Sequence, residues 1–196
     1  MKGITNMEIT YIYDYLRKNL KEKRYIHVLG VISTAKKLAD LYGVSKEKAE
    51  LAALCHDAGK NLTNEELLNI IEENNIKLSL DEKKTPELWH SIVSPIIAKE
   101  KFDIYDEDVL EAMRWHTTGK PDMTMLQKII YISDMIEPSR VFDGVSIIRE
   151  KVLEDLDLGV IQGMVHTIRH LIDKGQIVDK NTIEARNYLI IQKNNI

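Results

Sequence analysis

Four histidines and two aspartates that could hold a transition metal either face inward by their spacing or lie beside a suspected helix break in this sequence. His27 precedes Val31, Thr34, Leu38 and Leu41 at spacings of 4, 3, 4 and 3, which places it on the apolar face of a helix. His56 follows Ala49, Ala52 and Ala53 in the same phase, with Asp57 directly after it, and His116 follows Val109, Ala112 and Met113 likewise. Asp134 stands four residues after the apolar Ile130, and His90 lies beside Leu88 and Trp89. Burying an unpaired carboxylate costs several kcal/mol, so an inward Asp requires a cation or a metal ion. Imidazole and carboxylate donors without thiolate suit Fe, Mn, Co, Ni or Zn. Cys55 points away from the cluster if His56 points into it.

The pair His56-Asp57 carries little weight alone, because chance readily supplies such a dipeptide. Histidines that close several apolar stripes, together with two acids that would otherwise be stranded, carry much more. His166 and His170 provide a contrast. Their i, i+4 spacing could hold a metal, but they share a face with Gln162, Arg169 and Asp173, off the apolar stripe. His166→Ala is therefore expected to change neither metal content nor turnover. Lys60, Arg140 and Arg24 flank the candidate ligands and, taken singly, read as surface charges. Thr117 and Thr118 either bind a phosphate oxygen or end their helix, and Phe142, beside a turn, reads as core edge rather than as a base-stacking ring.

The elements that must position these residues are helices throughout. Ile9, Ile12, Leu16 and Leu20 form one stripe, and Val31 to Leu41 a second, ended by Gly43. Ser45 caps a third helix that Gly59 would terminate, and Thr63 with Glu66 is a capping box. Thr85-Pro86 marks another start, while Pro95 predicts a break at Ser94. Asp106 opens a segment stopped by Gly119, and Met125 to Ile136 is helical until Pro138. Leu158, Ile161, Val165, Ile168 and Ile172 form the expected buried stripe of a late helix, and Asn181 with Glu184 boxes the last one. Strand signals are nearly absent, so the chain reads as all-α.

At 196 residues the chain suits a single domain over 1–196, with Lys193 to Ile196 a frayed end. No stretch approaches the roughly 18 apolar residues of a spanning helix. The first residues lack the apolar run of a signal peptide, and one cysteine forms no internal disulfide, so a cytoplasmic protein is expected. A net charge of −4 argues against a nucleic-acid binder, though not against a small phosphorylated substrate held by local cations or metals.

Several segments together resemble a known family. They are Arg24-Tyr-Ile-His27, His56-Asp-Ala-Gly-Lys60, Leu88-Trp-His90, Arg114-Trp-His116-Thr-Thr-Gly119, Ile132-Ser-Asp134-Met-Ile-Glu-Pro-Ser-Arg140 and Glu184-Ala-Arg-Asn187. In this order the chain resembles the HD-domain metallophosphohydrolases, and within them the YqeK-type branch of symmetrical dinucleoside tetraphosphatases. The resemblance implies an HD-domain helical bundle and a two-metal site, most often of iron. His27, His56, Asp57 and Asp134 would hold one ion and His90 and His116 the second, with Asp57 bridging. It implies hydrolysis of diadenosine tetraphosphate to two ADP by a metal-activated hydroxide. Lys60, Arg140, Arg24 and Thr117 would meet the phosphates, and the protein would form a homodimer. Ala58-Gly59 stands where such proteins commonly carry a bulkier residue, so a looser pocket wall is expected there. The bare residues support only metal-assisted attack on a phosphate ester or anhydride. They leave open another nucleotide phosphohydrolase, a nucleotidase or a non-catalytic nucleotide-binding regulator.

Overall fold

The computed structural model describes residues 6–194, with side chains from Ile9 onward. Local signals account for most helix starts. After α1 (Asn6–Asn19) and α2 (Glu22–Leu41), the Ser45 side chain accepts from the Lys48 amide at 3.1 Å and opens α3 (Lys46–Cys55). The Thr63–Glu66 box opens α4 (Asn64–Glu73), and a second box, Ser79–Glu82, opens α5 (Leu80–Lys84). Pro86 begins a 3-10 turn (Pro86–Leu88) that runs into α6 (Trp89–Phe102). Asp106 caps α7 (Glu107–Arg114), and a Thr124–Gln127 box caps α8 (Met125–Ile136). The chain continues through α9 (Val145–Glu154), α10 (Leu156–Asp173) and α11 (Lys180–Asn194), with no strand among the described residues.

Several expectations are corrected. The helix does not break at Pro95; α6 passes through it. Proline removes one ladder bond, but Ile92, Val93, Ser94, Ile97 and Ala98 are buried around it, so packing outweighs the local penalty. α3 stops at Cys55 rather than at Gly59, which leaves His56 as its C-cap and Asp57 in the turn beyond. Leu41 is exposed, and Val28, Ile32 and Ala35 complete the buried face of α2 instead. The last helix begins at Lys180, where Asp179, not Asn181, receives an amide, that of Asn181, at 2.8 Å. Lys193 and Asn194 are not frayed but helical, and the Lys193 ammonium bonds Asp155 at 2.6 Å; the rest of the expected frayed end, 195–196, lies outside the described residues.

The largest correction concerns α10. Its buried face is Leu156, Gly159, Val160, Gly163 and Met164, while Leu158 and Ile172 of the expected stripe are exposed. The reason is the two glycines. A Cβ on Gly159 would lie 2.2 Å from Val152 Cγ2, and one on Gly163 would lie 2.9 Å from Ile132 Cδ1. α10 thus seats its barest face against α9 and α8, a contact that counting large apolar side chains cannot find.

The centre of the bundle is α2, α3, α7 and α8, which pack on one another, with α6 against α7 and α10 against α8. One contiguous apolar cluster runs from Ile12 to Leu189. α8 is buried almost throughout, including Ile129, Ile130, Tyr131, Ile132 and Ser133. Asp134, near its C-terminal end, is thereby held against α2 and α3.

Candidate metal centre

His27 projects from α2, His56 and Asp57 from the end of α3, His90 from the first turn of α6, His116 from just beyond α7, and Asp134 from α8. The four histidines are all buried. Each has its Nδ1 tied to an acceptor behind it: His56 to Ala53 O at 2.7 Å, His90 to Glu87 O at 2.6 Å, His116 to Met113 O at 2.6 Å and His27 to Glu137 Oε1 at 3.0 Å. A carbonyl or carboxylate oxygen only accepts, so Nδ1 carries the proton and the Nε2 lone pair points into the cluster. This is the orientation that a metal-ligating imidazole requires.

The ring nitrogens converge on the carboxylates. Asp57 Oδ1 lies 3.4 Å from His90 Nε2 and 3.8 Å from His116 Nε2, whereas its Oδ2 lies 3.8 Å from His56 Nε2. Its two oxygens therefore face two different groups of imidazoles. His27 Nε2 comes within 3.0 Å of Asp134 Oδ1 without hydrogen-bond geometry, and His56 Nε2 is buried with no partner among the described residues. Two sets of donors, His27–His56–Asp134 and His56–Asp57–His116, each have ligand atoms within 4.8 Å of one another. Orphaned, inward-facing Nε2 atoms beside carboxylates fit metal ions, and these groups could hold them.

Cations surround the carboxylates. Arg24 donates to Asp57 Oδ2 at 2.8 Å, and Arg140 donates to Asp134 Oδ1 at 2.6 Å and to the Asp134 carbonyl at 2.9 Å. Lys60 Nζ sits 3.1 Å from His90 Nδ1, and burial lowers its pKa. Thr117 Oγ1 is 3.2 Å from His116 Nε2. The ten residues that the resemblance implies thus fall in one place, including Arg24, Lys60 and Arg140, which taken singly read as surface charges. Gly59 does not loosen the wall. Its amide donates to Ser94 Oγ at 3.1 Å, and a Cβ there would lie 3.3 Å from the His90 carbonyl, so the small residue lets α6 approach.

Two features escaped the sequence reading. Glu137, almost wholly buried, holds His27 from behind; the available signal was an acid one turn after Asp134 and just before Pro138. His166 is not confined to a solvent face: with Phe142 it lines a cavity of about 280 Å³ whose inner wall is His116, Thr117, Asp134 and Arg140.

Burial is the largest influence on the inner histidines. It lowers His90 to about 3 and His116 to about 4, with the neighbouring rings adding to it and Asp57 opposing. Burial also lowers His27, but the adjacent Asp134 carboxylate and the bond to Glu137 outweigh it and raise the pKa. Burial would raise Asp134, yet the His27 ring against it and the surrounding imidazole and guanidinium groups hold it well below the carboxylate range. Neutral rings bind metal without first losing a proton. In the metal-free protein, His90 and His116 resist protons that the unfolded chain takes up near 6.5. Their contribution to stability is present above pH 6.5 and is lost as pH falls toward 4. The midpoint of thermal unfolding of metal-free protein is expected to drop steadily over that range in scanning calorimetry. A flat midpoint from pH 7 to 4 would show that these rings titrate normally.

A helical bundle that gathers histidines and aspartates from separate helices around an adjacent His-Asp pair defines a class. Residues 24–139 match the HD domain, and the chain belongs to the HD domain family. Within that family it groups with proteins named bis(5'-nucleosyl)-tetraphosphatase, symmetrical. It is 39% identical over 175 residues to the one from Bacillus subtilis, covering 89% of this chain and 94% of that protein. It is 40% identical over 180 residues to that of Halalkalibacterium halodurans, covering 91% and 95%. A crystal structure from Clostridium acetobutylicum, described as a predicted HD superfamily hydrolase involved in NAD metabolism, superposes with a TM-score of 0.91. It is 45% identical and covers 94% of this chain and 97% of its own.

Proposed function

We propose that this protein cleaves dinucleoside tetraphosphates symmetrically, converting diadenosine tetraphosphate and water to two ADP. Relatives bearing that activity in their names align over nearly the whole chain. The observation that carries the reading is Asp57, whose two oxygens face separate sets of imidazoles while three cations ring the site. In this reading His27, His56, Asp57 and Asp134 hold one ion, and His90 and His116 hold a second that shares Asp57. Iron is the proposed metal, with Mn, Co, Ni and Zn compatible with the same donors. Bound there, the ions would neutralise phosphate charge and acidify a water to serve as nucleophile.

The chain's own residues do the rest. Arg140 and Arg24, now leaning on the ligand carboxylates, are placed to meet phosphate oxygens, and the Thr117 hydroxyl can donate to one. Lys60, close to His90, is placed to neutralise charge on the departing bridge oxygen. Water adds to one central phosphorus, and the bond from that phosphorus to the central bridging oxygen breaks. The leaving ADP takes the oxygen with it. ADP is already a good leaving group, so the half-buried Lys60 need not transfer a full proton.

The contiguous core supports one domain over 1–196. Among the described residues no helix is long and apolar enough to cross a membrane, which is compatible with a cytoplasmic site of action. A homodimer follows from the resemblance and is checked by sedimentation. The test of the activity is a product assay on metal-loaded enzyme with diadenosine tetraphosphate. ADP alone is expected; ATP plus AMP would exclude symmetrical cleavage. Preference for nucleoside monophosphates would move the reading to a nucleotidase.

A further inference from the structure

Five cations crowd one corner of an acidic protein. Residues 17–24, the end of α1 and the start of α2, carry Arg17, Lys18, Lys21, Lys23 and Arg24 against a single acid, Glu22, a net charge of +4. The chain as a whole stands at −4, so its other residues together stand at −8. Arg17, Lys18, Lys21 and Lys23 are exposed and make no ion pair among the described residues, whereas Lys36, Lys48, Lys128 and Lys193 each lie against a carboxylate. The corner borders the metal centre. Arg24, one helical turn after Lys21, reaches Asp57 at 2.8 Å, and Asn61, next to Lys60, donates its side-chain amide to the Asn19 carbonyl at 2.9 Å.

We propose that this corner captures the polyphosphate chain of the substrate on its way to the metal centre. The proposal rests on the reading above that the substrate is a dinucleoside polyphosphate. Arg24 and Arg140 already lean on Asp57 and Asp134, so at a distance their charges are largely cancelled. The four unpaired cations are not cancelled, and they set the potential that an approaching anion meets. Lys21 and Lys23 start within one turn of Arg24, about 5 Å along the helix axis. That is inside the Debye length of about 8 Å at physiological salt, so their field reaches the site. Lys21 caps α2 through its backbone alone and makes no side-chain cap bond, which leaves its ammonium free for an anion. Extent selects the ligand. A chain of four phosphates fits against one corner, whereas a nucleic acid or an anionic membrane would also cover the acidic remainder of the surface.

The test compares metal-loaded wild type with a variant carrying Arg17→Gln, Lys18→Gln, Lys21→Gln and Lys23→Gln. A control carries Lys37→Gln, Lys77→Gln, Lys174→Gln and Lys180→Gln, four exposed cations from elsewhere on the chain, so both variants change net charge equally. Each protein is assayed for kcat and KM with diadenosine tetraphosphate and for calorimetric binding of ATP, at low salt and at about 0.5 M salt. At low salt the corner variant is expected to lose about tenfold in kcat/KM and in ATP affinity with kcat unchanged. At high salt it should match wild type, and the control should match wild type at both. Unchanged kcat/KM and ATP affinity in the corner variant overturn the proposal. So does an equal loss in the control, which would mean overall charge alone, or a fall in kcat that persists at high salt, which would mean a displaced Arg24. Glutamine keeps helix propensity at these exposed positions, so circular dichroism should match wild type. If the fourfold variant does not fold, Lys21→Gln combined with Lys23→Gln decides by the same readouts. Wild type whose ATP affinity depends on the corner, yet which releases no ADP from diadenosine tetraphosphate, would remove the substrate reading and leave the capture site. Symmetrical cleavage with both affinity and kcat/KM independent of the corner would remove only the capture site.

Discussion

Replacing Asp57 with alanine is expected to lower kcat at least a thousandfold, about 4 kcal/mol of transition-state stabilisation, and to reduce bound metal below that of wild type. The expectation follows from the position of its two oxygens. Oδ1 faces His90 and His116 while Oδ2 faces His56 and Arg24, so no other side chain touches both halves of the cluster in the same way. Without it, His90 and His116 keep their tautomers through Glu87 and Met113, but two neutral rings alone hold an ion weakly. Arg24, already half-exposed, can turn to solvent, so the helical fold should persist by circular dichroism. Asp57→Asn makes the stricter comparison because it keeps shape and removes charge. Metal analysis and turnover should fall together in both variants. A variant retaining a tenth of wild-type turnover with full metal content would sink the bridging role.

The second large effect is expected at Glu137, which never touches the reacting atoms. Its carboxylate accepts from His27 Nδ1 at 3.0 Å, from the Ser139 amide at 2.7 Å and from the Ser139 hydroxyl. Burial alone would raise its pKa, but the bonds from Ser139 and His27 outweigh that and keep it ionised. Arg149 locks the same stretch by donating to the carbonyls of Ile136, Glu137 and Arg140. In Glu137→Gln the amide NH₂ must face either Ser139 or His27, and both already present donors. Facing His27 it would force the proton to Nε2, where a metal ligand needs a lone pair. Metal affinity is expected to fall about 10–100-fold, the usual effect of losing such an outer carboxylate. Metal titration checks it, and the His27 tautomer read by nitrogen NMR gives the cause.

Gly30→Ala should reproduce that loss by steric means. A Cβ there would lie 2.5 Å from Glu137 Oε2, and the carboxylate cannot yield without releasing His27 or Ser139. Wild-type metal affinity in both variants would show that His27 is oriented by packing alone.

The sequence by itself determined the all-α class, because capping boxes and apolar periods are local properties that survive burial. Ser45, Thr63 and Asp106 each cap the helix that their position foretold. It also determined the ligand types. His27, His56, His116 and Asp134 follow apolar stripes in phase, and a polar group on such a face must meet something. Joining them into one centre could not be read from phase, since each stripe defines a face but not what that face meets. The second-ion role of His90 and the phosphate-binding role of Lys60 rested on resemblance to a family.

Only the tertiary structure decided the buried face of α10, because Gly159 and Gly163 contribute closeness rather than bulk. It alone carried α6 through Pro95, where packing on both sides exceeded a local penalty. It alone revealed Glu137 behind His27, and Phe142 beside His166. Those pairings join residues far apart in the chain across helix contacts, and no local period encodes which helix lies opposite. The adjacent pair His56-Asp57 shows the division most plainly: its residue types were legible from the start, but that Asp57 faces two sides was set by the three helices that bring His56, His90 and His116 around it.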